Sequence, residues 1–138
     1  MVTLQNRSIP SCTAMPMLGY PEIGPAIEWL CNALGFTLRL RIGDHRAPLN
    51  VGDGAVILSQ RELVGRDDFQ SVLVRVEDVD AHIERARKNG AHVLSEPKDH
   101  MFGERQYNVE DFAGHRWTFS QSIADADPVT WGGTPGQL

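Results

Sequence analysis

Apolar residues at Ile23, Ala26, Ile27, Leu30, Cys31 and Leu34 recur at the three- and four-residue spacing of one helix face. Pro25 suits the first turn, where its missing N–H costs nothing, and Gly35 is placed to close the helix in the left-handed conformation. On both sides of this helix the pattern becomes that of strands. Ser11 to Tyr20 (SCTAMPMLGY) reads as an apolar strand, with Pro16 confining it to a free edge or a bulge. Phe36 to Ile42 (FTLRLRI) alternates strictly, Gly43-Asp44-His45 supplies a turn, and Arg46 to Val51 follows as the hairpin partner. Asp53-Gly54 is a tight-turn dipeptide leading into AVILSQ, Ala55 to Gln60. The first half therefore predicts a βαβββ unit.

Arg61 to Gln70 is polar and aperiodic and reads as a linker, after which the order starts again. Ser71 to Glu77 (SVLVRVE) alternates; Asp78 or Asp80 can cap a helix through Asn89 whose apolar residues are Val79, Ile83 and Ala86; Gly90 ends it. Ala91 to Ser95, Glu104 to Val109 and His115 to Ser120 supply three more strands, separated by a Pro97 to Gly103 loop and an Asp111 to Gly114 turn. The helix-ending glycines lie 55 residues apart, and the repeated order signals internal duplication. One helix followed by three closely spaced strands demands mostly antiparallel pairing, so the fold class is α+β. Modules at about 11–60 and 71–120 make one domain over 1–138, with a Pro- and Gly-bearing tail at 121–138 that Trp131 can pin to the surface.

With 138 residues, 41% of them hydrophobic, the chain can bury a core without staples. Cys12 and Cys31 lie in apolar stretches without CxxC spacing and without a secretory signal before them, which fits reduced thiols and a cytoplasmic location. The balance of 13 basic against 18 acidic residues and the lack of a basic run argue against nucleic acid as partner. No apolar stretch reaches the roughly 20 residues a bilayer crossing needs. The GxSxG, HExxH, P-loop and dinucleotide patterns are absent, and Gly132-Gly133 lacks a strand-to-helix setting.

The segments WLCNALGF (Trp29 to Phe36), VRVEDVDAHIERARKNGAHV (Val74 to Val93) and FGERQYNVEDFAGHRWTFS (Phe102 to Ser120), in that order after a first strand, resemble the vicinal oxygen chelate superfamily of glyoxalases, bleomycin-resistance proteins and ring-cleaving dioxygenases. The likeness covers about Ser11 to Ser120, with Phe112 standing where that superfamily commonly has a turn proline. It implies paired βαβββ modules whose curved sheets enclose a cleft, a homodimer, and a divalent metal held by four side chains from the first and last strands of each module. Carried onto this chain, those positions fall on Met15, Leu58, Ser71 and Thr118. None is His, Asp, Glu or Cys, and a slip of one residue restores none, so the expectation is no metal and no cofactor.

Strand alternation divides helix-facing from cleft-facing positions. Opposite the apolar sets lie Arg39 and Arg41 in one strand, Ser71, Leu73 and Arg75 in another, Gln106 and Asn108 in a third, and Arg116, Thr118 and Ser120 in the last. Guanidinium forks suit a small anionic or carbonyl-rich molecule, and the expected ligand-binding set is Arg39, Arg41, Leu58, Ser71, Arg75, Phe102, Gln106, Asn108, Arg116 and Thr118. An arginine on an alternating strand serves equally as a solvated or ion-paired surface residue, and Phe102 equally as a loop staple. The preferred reading is a metal-independent binding protein for sequestration or sensing. The alternative is a metal-dependent lyase or ring-cleaving dioxygenase drawing ligands from His100, Glu104 or His115, or acid–base chemistry by Glu77 or Tyr107. A module whose cleft is filled by its own side chains is the third reading.

Overall fold

A computed structural model of the chain describes residues 6–62 and 70–136. It divides into two compact units, 1–67 and 68–138, with the division inside the segment expected to be a linker. Each unit is a four-stranded mixed open sheet with one α-helix, so the duplicated βαβββ order and the α+β class stand. Among the described residues no helix is long and apolar enough to cross a membrane.

In the first unit β1 (Met17–Tyr20), α1 (Ile23–Leu34), β2 (Thr37–Leu38), β3 (Arg46–Val51) and β4 (Gly54–Gln60) form a sheet of order β1-β4-β3-β2. Only the β1–β4 pair is parallel. Gly35 closes α1 at φ 84°, donating to Cys31 O, as its position after the last apolar residue implied. The register places Ala47, Leu49, Val56 and Leu58 on one face, and all four are essentially unexposed. They form the core with Ile23, Ala26, Ile27, Leu30 and Leu34 of α1.

Three expectations for this unit need correction. The first strand covers Met17–Tyr20 rather than Ser11–Tyr20: Pro16 accepts from Ile57 N, has no N–H to return, and marks where the ladder begins. The FTLRLRI strand shrinks to Thr37–Leu38 because its partner in β3 is Pro48, whose carbonyl accepts from both Arg39 N and Leu40 N but which cannot donate back. Beyond that point the alternation loses its core face, and Leu38, Leu40 and Ile42 are 45%, 36% and 37% exposed. Finally, the β3–β4 turn centres on Gly52-Asp53, with Val51 opposite Gly54 and Gly52 at φ 59°.

In the second unit β5 (Ser71–Arg75), α2 (Val79–Lys88), β6 (His92–Asp99), β7 (Glu104–Glu110) and β8 (Arg116–Ser122) form a sheet of order β5-β8-β7-β6, parallel only between β5 and β8. Asp78 is the N-cap of α2 and accepts from Ala81 N at 3.1 Å. Val79, Ile83 and Ala86 pack with Tyr107, Val109, Trp117 and Phe119, all buried. Strand β6 runs on to Asp99 instead of stopping at Ser95. Register shifts between Val93 and Ser95, and again before Lys98, absorb Pro97 into the edge strand. The expected Pro97 to Gly103 loop is thereby reduced to residues 100–103.

Candidate functional site

The second sheet packs one face against α2, and its other face carries a separate set of side chains. Cross-strand register fixes which residues share that open face. Ser71, Arg116 and Glu110 form one row; Leu73, Thr118, Asn108 and Ser95 form the next; Arg75, Ser120, Gln106 and Lys98 form the third. Glu104 and Ser122 stand opposite each other one row further on. The division of β5, β7 and β8 into apolar and polar faces is thus the one period-two reading gives.

Two hydrogen-bonded chains hold this face in place. Thr118 Oγ1 donates to Asn108 Oδ1, and Asn108 Nδ2 donates to Ser95 Oγ at 2.7 Å, so the amide is fixed across three strands. Gln106 Nε2 donates to Ser120 Oγ at 3.0 Å, and Ser120 Oγ donates to Glu104 Oε1 at 2.7 Å. The Ser122 hydroxyl holds the Glu104 carboxyl below the usual carboxylate range, helped by Ser120 and the Arg75 charge and opposed by some burial. Glu104 is therefore an anion at neutral pH. Leu73 is 60% exposed in the middle of these polar rows. Arg75 is exposed and makes no hydrogen bond or ion pair among the described residues.

The other expected site residues are occupied elsewhere. Arg39 donates to the carbonyls of Arg7 and Ile9, tying the N-terminal segment down beside an open depression of ≈ 520 Å³ lined by Asn6, Arg7, Ser8 and Leu40. Arg41 pairs with Asp44 at 2.9 Å and donates to Gly43 O. Leu58 is 0% exposed on the core face of β4; the opposite face of that strand carries Ile57 and Ser59, with Met17 beside Ile57 on β1. Phe102 stacks on His100 at 5.0 Å and meets Trp131 at 5.6 Å, fastening the tail. Arg105 bridges Asp80 of α2 and Asp99 of β6. Tyr107 is fully buried against His82, and burial pushes its phenol well above the ordinary range, which removes it as an acid or base at neutral pH.

Sequence reasoning placed Leu73 and Ser120 on this face without taking them into the ligand-binding set, named Glu104 only as a metal ligand of the alternative reading, and left out Ser95. The parity of β5 and β8 held the signal for Leu73 and Ser120. Ser95 could not be found that way, because its row depends on the β6 bulges.

The sequence profile of the Glyoxalase/Bleomycin resistance protein/Dioxygenase superfamily matches residues 14–119, and the chain belongs to that superfamily. TioX from Micromonospora sp. ML1 is similar at 30% identity and TM-score 0.69, over 84% of this chain and 100% of that one. The genomically encoded fosfomycin resistance protein FosX from Listeria monocytogenes, solved with Mn(II) and sulfate, shares the fold at 12% identity and TM-score 0.69, over 83% of this chain and 92% of that one. A glyoxalase/bleomycin resistance protein/dioxygenase from Alicyclobacillus acidocaldarius does so at 13% identity and TM-score 0.68, over 84% and 95%. No curated protein matches the chain.

The divalent metal that membership implies does not fit this donor set. Met15 precedes β1 and Leu58 is in the core, while the residues across the sheet from Leu58 are Met17, Ile57 and Ser59. In the second unit the corresponding strands offer Ser71, Leu73, Arg116 and Thr118. Thioether, aliphatic, hydroxyl and guanidinium groups hold divalent cations weakly or repel them. Among the described residues no three His, Cys, Asp or Glu side chains are grouped to hold a metal ion.

Proposed function

We propose that the chain, acting as one domain, is a metal-independent small-molecule binding protein that sequesters or senses its ligand. The ligand lies on the open face of β5-β8-β7-β6, with Ser71, Arg75, Gln106, Asn108, Arg116 and Thr118 in its reach. The observation that carries this reading is the exposed Leu73 beside the exposed Arg75, set among side chains that hydrogen bonds already hold rigid. A preorganised polar surface with an apolar anchor and the cations Arg75, Lys98 and Arg116 on one face loses little entropy on binding. Guanidinium recognition favours a ligand with an acidic or carbonyl group. Relatives named for fosfomycin resistance, and a superfamily named partly for bleomycin resistance, suit a role in holding a small toxic molecule. A cytoplasmic location and a homodimer complete the proposal.

Thermal-shift screening of an aromatic-acid and natural-product library against the purified protein, with and without EDTA, tests it. The expected result is a set of stabilising ligands whose effect survives EDTA and is lost in Arg75→Ala. Stabilisation that requires an added divalent ion overturns metal independence. Sedimentation equilibrium tests the dimer.

A further inference from the structure

Asn89 closes α2 and is the one asparagine of the chain followed by glycine; the others precede Arg7, Ala33, Val51 and Val109. Gly90 has no Cβ to shield its backbone nitrogen, so at this pair the nitrogen can reach the side-chain amide carbon of the residue before it. Both residues are exposed to water. In the folded chain a Schellman closure stands against that approach. Gly90, at φ 78°, donates to Arg87 O at 3.0 Å, and Ala91 N donates to Ala86 O at 3.0 Å. The Asn89 side chain is drawn the other way, its Nδ2 donating to Arg85 O at 2.9 Å, one turn back along the helix.

We propose that Asn89 is a modification site, converted by deamidation to aspartate and isoaspartate, and that opening of the α2 C-terminus gates the reaction. Once its hydrogen bond to Arg87 is broken and its proton is given up to base, the Gly90 nitrogen attacks Cγ of Asn89. A C–N bond forms, the Cγ–Nδ2 bond breaks, ammonia leaves, and a cyclic imide remains. Water then opens the imide at one of its two carbonyls, so that amide plus water has become carboxylate plus ammonium with no other reactant. Opening at Cγ gives aspartate; opening at the backbone carbonyl gives isoaspartate. The end of a helix opens at far smaller cost than the whole fold, so the gate slows the reaction without stopping it. Either product replaces the donor to Arg85 O by a carboxylate beside the helix-end carbonyls, which repel it, while Arg85, Arg87 and Lys88 in that turn offset part of the repulsion. Isoaspartate also adds a backbone carbon between α2 and β6, beside the place where Arg87 reaches across to Glu96. The modification thus loosens the joint between α2 and the edge strand.

Incubation of the full chain in mildly alkaline buffer, folded or unfolded in urea, followed by peptide mapping with mass spectrometry, measures the rate at each asparagine. The expected result is conversion at Asn89 ahead of every other asparagine, about tenfold or more slower in the folded chain than in urea. Lys88→Gly weakens the last helical turn and leaves the reacting pair intact; it is expected to raise the ratio of folded to unfolded rate by about threefold or more. Equal rates in the folded and unfolded parent, or a ratio in Lys88→Gly no higher than the parent's, overturn the gate. Faster conversion of another asparagine in the folded chain, or none at Asn89 after about a hundredfold longer than the unfolded chain needs, overturns the site. In the aged chain the amides of Gly90 and Ala91 are expected to exchange hydrogen faster than in the fresh one, and unchanged exchange overturns the loosening.

Discussion

The indole N–H of Trp117 donates to Asp111 Oδ2 at 3.2 Å, joining a fully buried aromatic residue of β8 to the turn that precedes it. Asp111 is 4% exposed, and its other oxygen accepts from Ala113 N and His115 N, each at 3.0 Å. One carboxylate thus closes the β7–β8 turn and anchors the largest core side chain of that unit. Turn geometry here is imposed by the Asp111 bonds and by Gly114 at φ 89°, so Phe112 at the second position needs no fixed φ.

Asp111→Ala should therefore cost about 3 kcal/mol, since three donors lose a charged acceptor in a largely buried setting. Asp111→Asn should cost about half as much, because one oxygen is retained. Urea denaturation measures both, and a near-ultraviolet circular dichroism change should accompany the alanine variant as the indole loses its anchor. A cost below about 1 kcal/mol for the alanine variant contradicts the anchoring role.

The tail is fastened at Gly103. Its carbonyl accepts from Ile123 N and Ala124 N, and it sits at φ 84° with a would-be Cβ only 2.4 Å from Ala124 O. Gly103→Ala must either strain the backbone or push residues 123 and 124 away, at about 2–4 kcal/mol. The expected result is a lowered melting temperature together with faster proteolysis between residues 121 and 131. Cleavage at the unsubstituted rate would show that the Phe102–Trp131 contact holds the tail without the strand-end bonds.

How much of this was legible depends on where each strand's signal came from. The helices, their glycine stops and the second sheet's two faces were readable because α1, α2 and β7 each bury one set of positions, β5 half-buries Val72 and Val74 while exposing the residues between them, and β8 buries Trp117 and Phe119. Leu58 was misplaced for the opposite reason. The run Ala55 to Leu58 is buried on both faces, so alternation carries no parity there, and only pairing with Ala47 shows which side Leu58 takes. The shortening of β2 was likewise invisible in FTLRLRI itself, since its cause, Pro48, lies on the partner strand. Arg39 and Arg41 fell out of the candidate site with it: once the strand ended, their guanidinium groups turned to nearby carbonyls and Asp44.

The corrected face assignment makes a simple contrast in the first unit. Leu58→Ala should destabilise by about 2–5 kcal/mol through lost burial and the cavity left against α1. Met17→Ala, on the opposite face and 56% exposed, should change stability by less than about 0.5 kcal/mol. Chemical denaturation of the two variants distinguishes the faces, and comparable costs would return Leu58 to the open side.

Tyr107 supplies a pH-dependent test of the second core. Its hydroxyl shares a 2.6 Å hydrogen bond with His82 Nδ1, its ring packs on Phe119, and it is fully buried. Burial raises its pKa well above the ordinary value of 10.0, with Arg87 opposing weakly. A raised phenol pKa means that the folded state keeps a proton which the unfolded chain releases above about pH 10, so the folded state binds more protons there and stability falls as pH rises. Tyr107→Phe removes this titration along with the hydrogen bond. Below about pH 9 the variant should be less stable than the parent by about 1 kcal/mol, the net worth of the bond. Above pH 10 that difference should shrink by as much as about 1.4 kcal/mol per unit and then reverse, because only the parent has a phenol to ionise on unfolding. Other alkaline titrations largely cancel between two chains that differ by one oxygen. Denaturation of both proteins at several pH values from about 8 to 11 gives the difference directly, and a gap that stays constant across that range would mean that the Tyr107 hydroxyl is open to solvent in the folded protein.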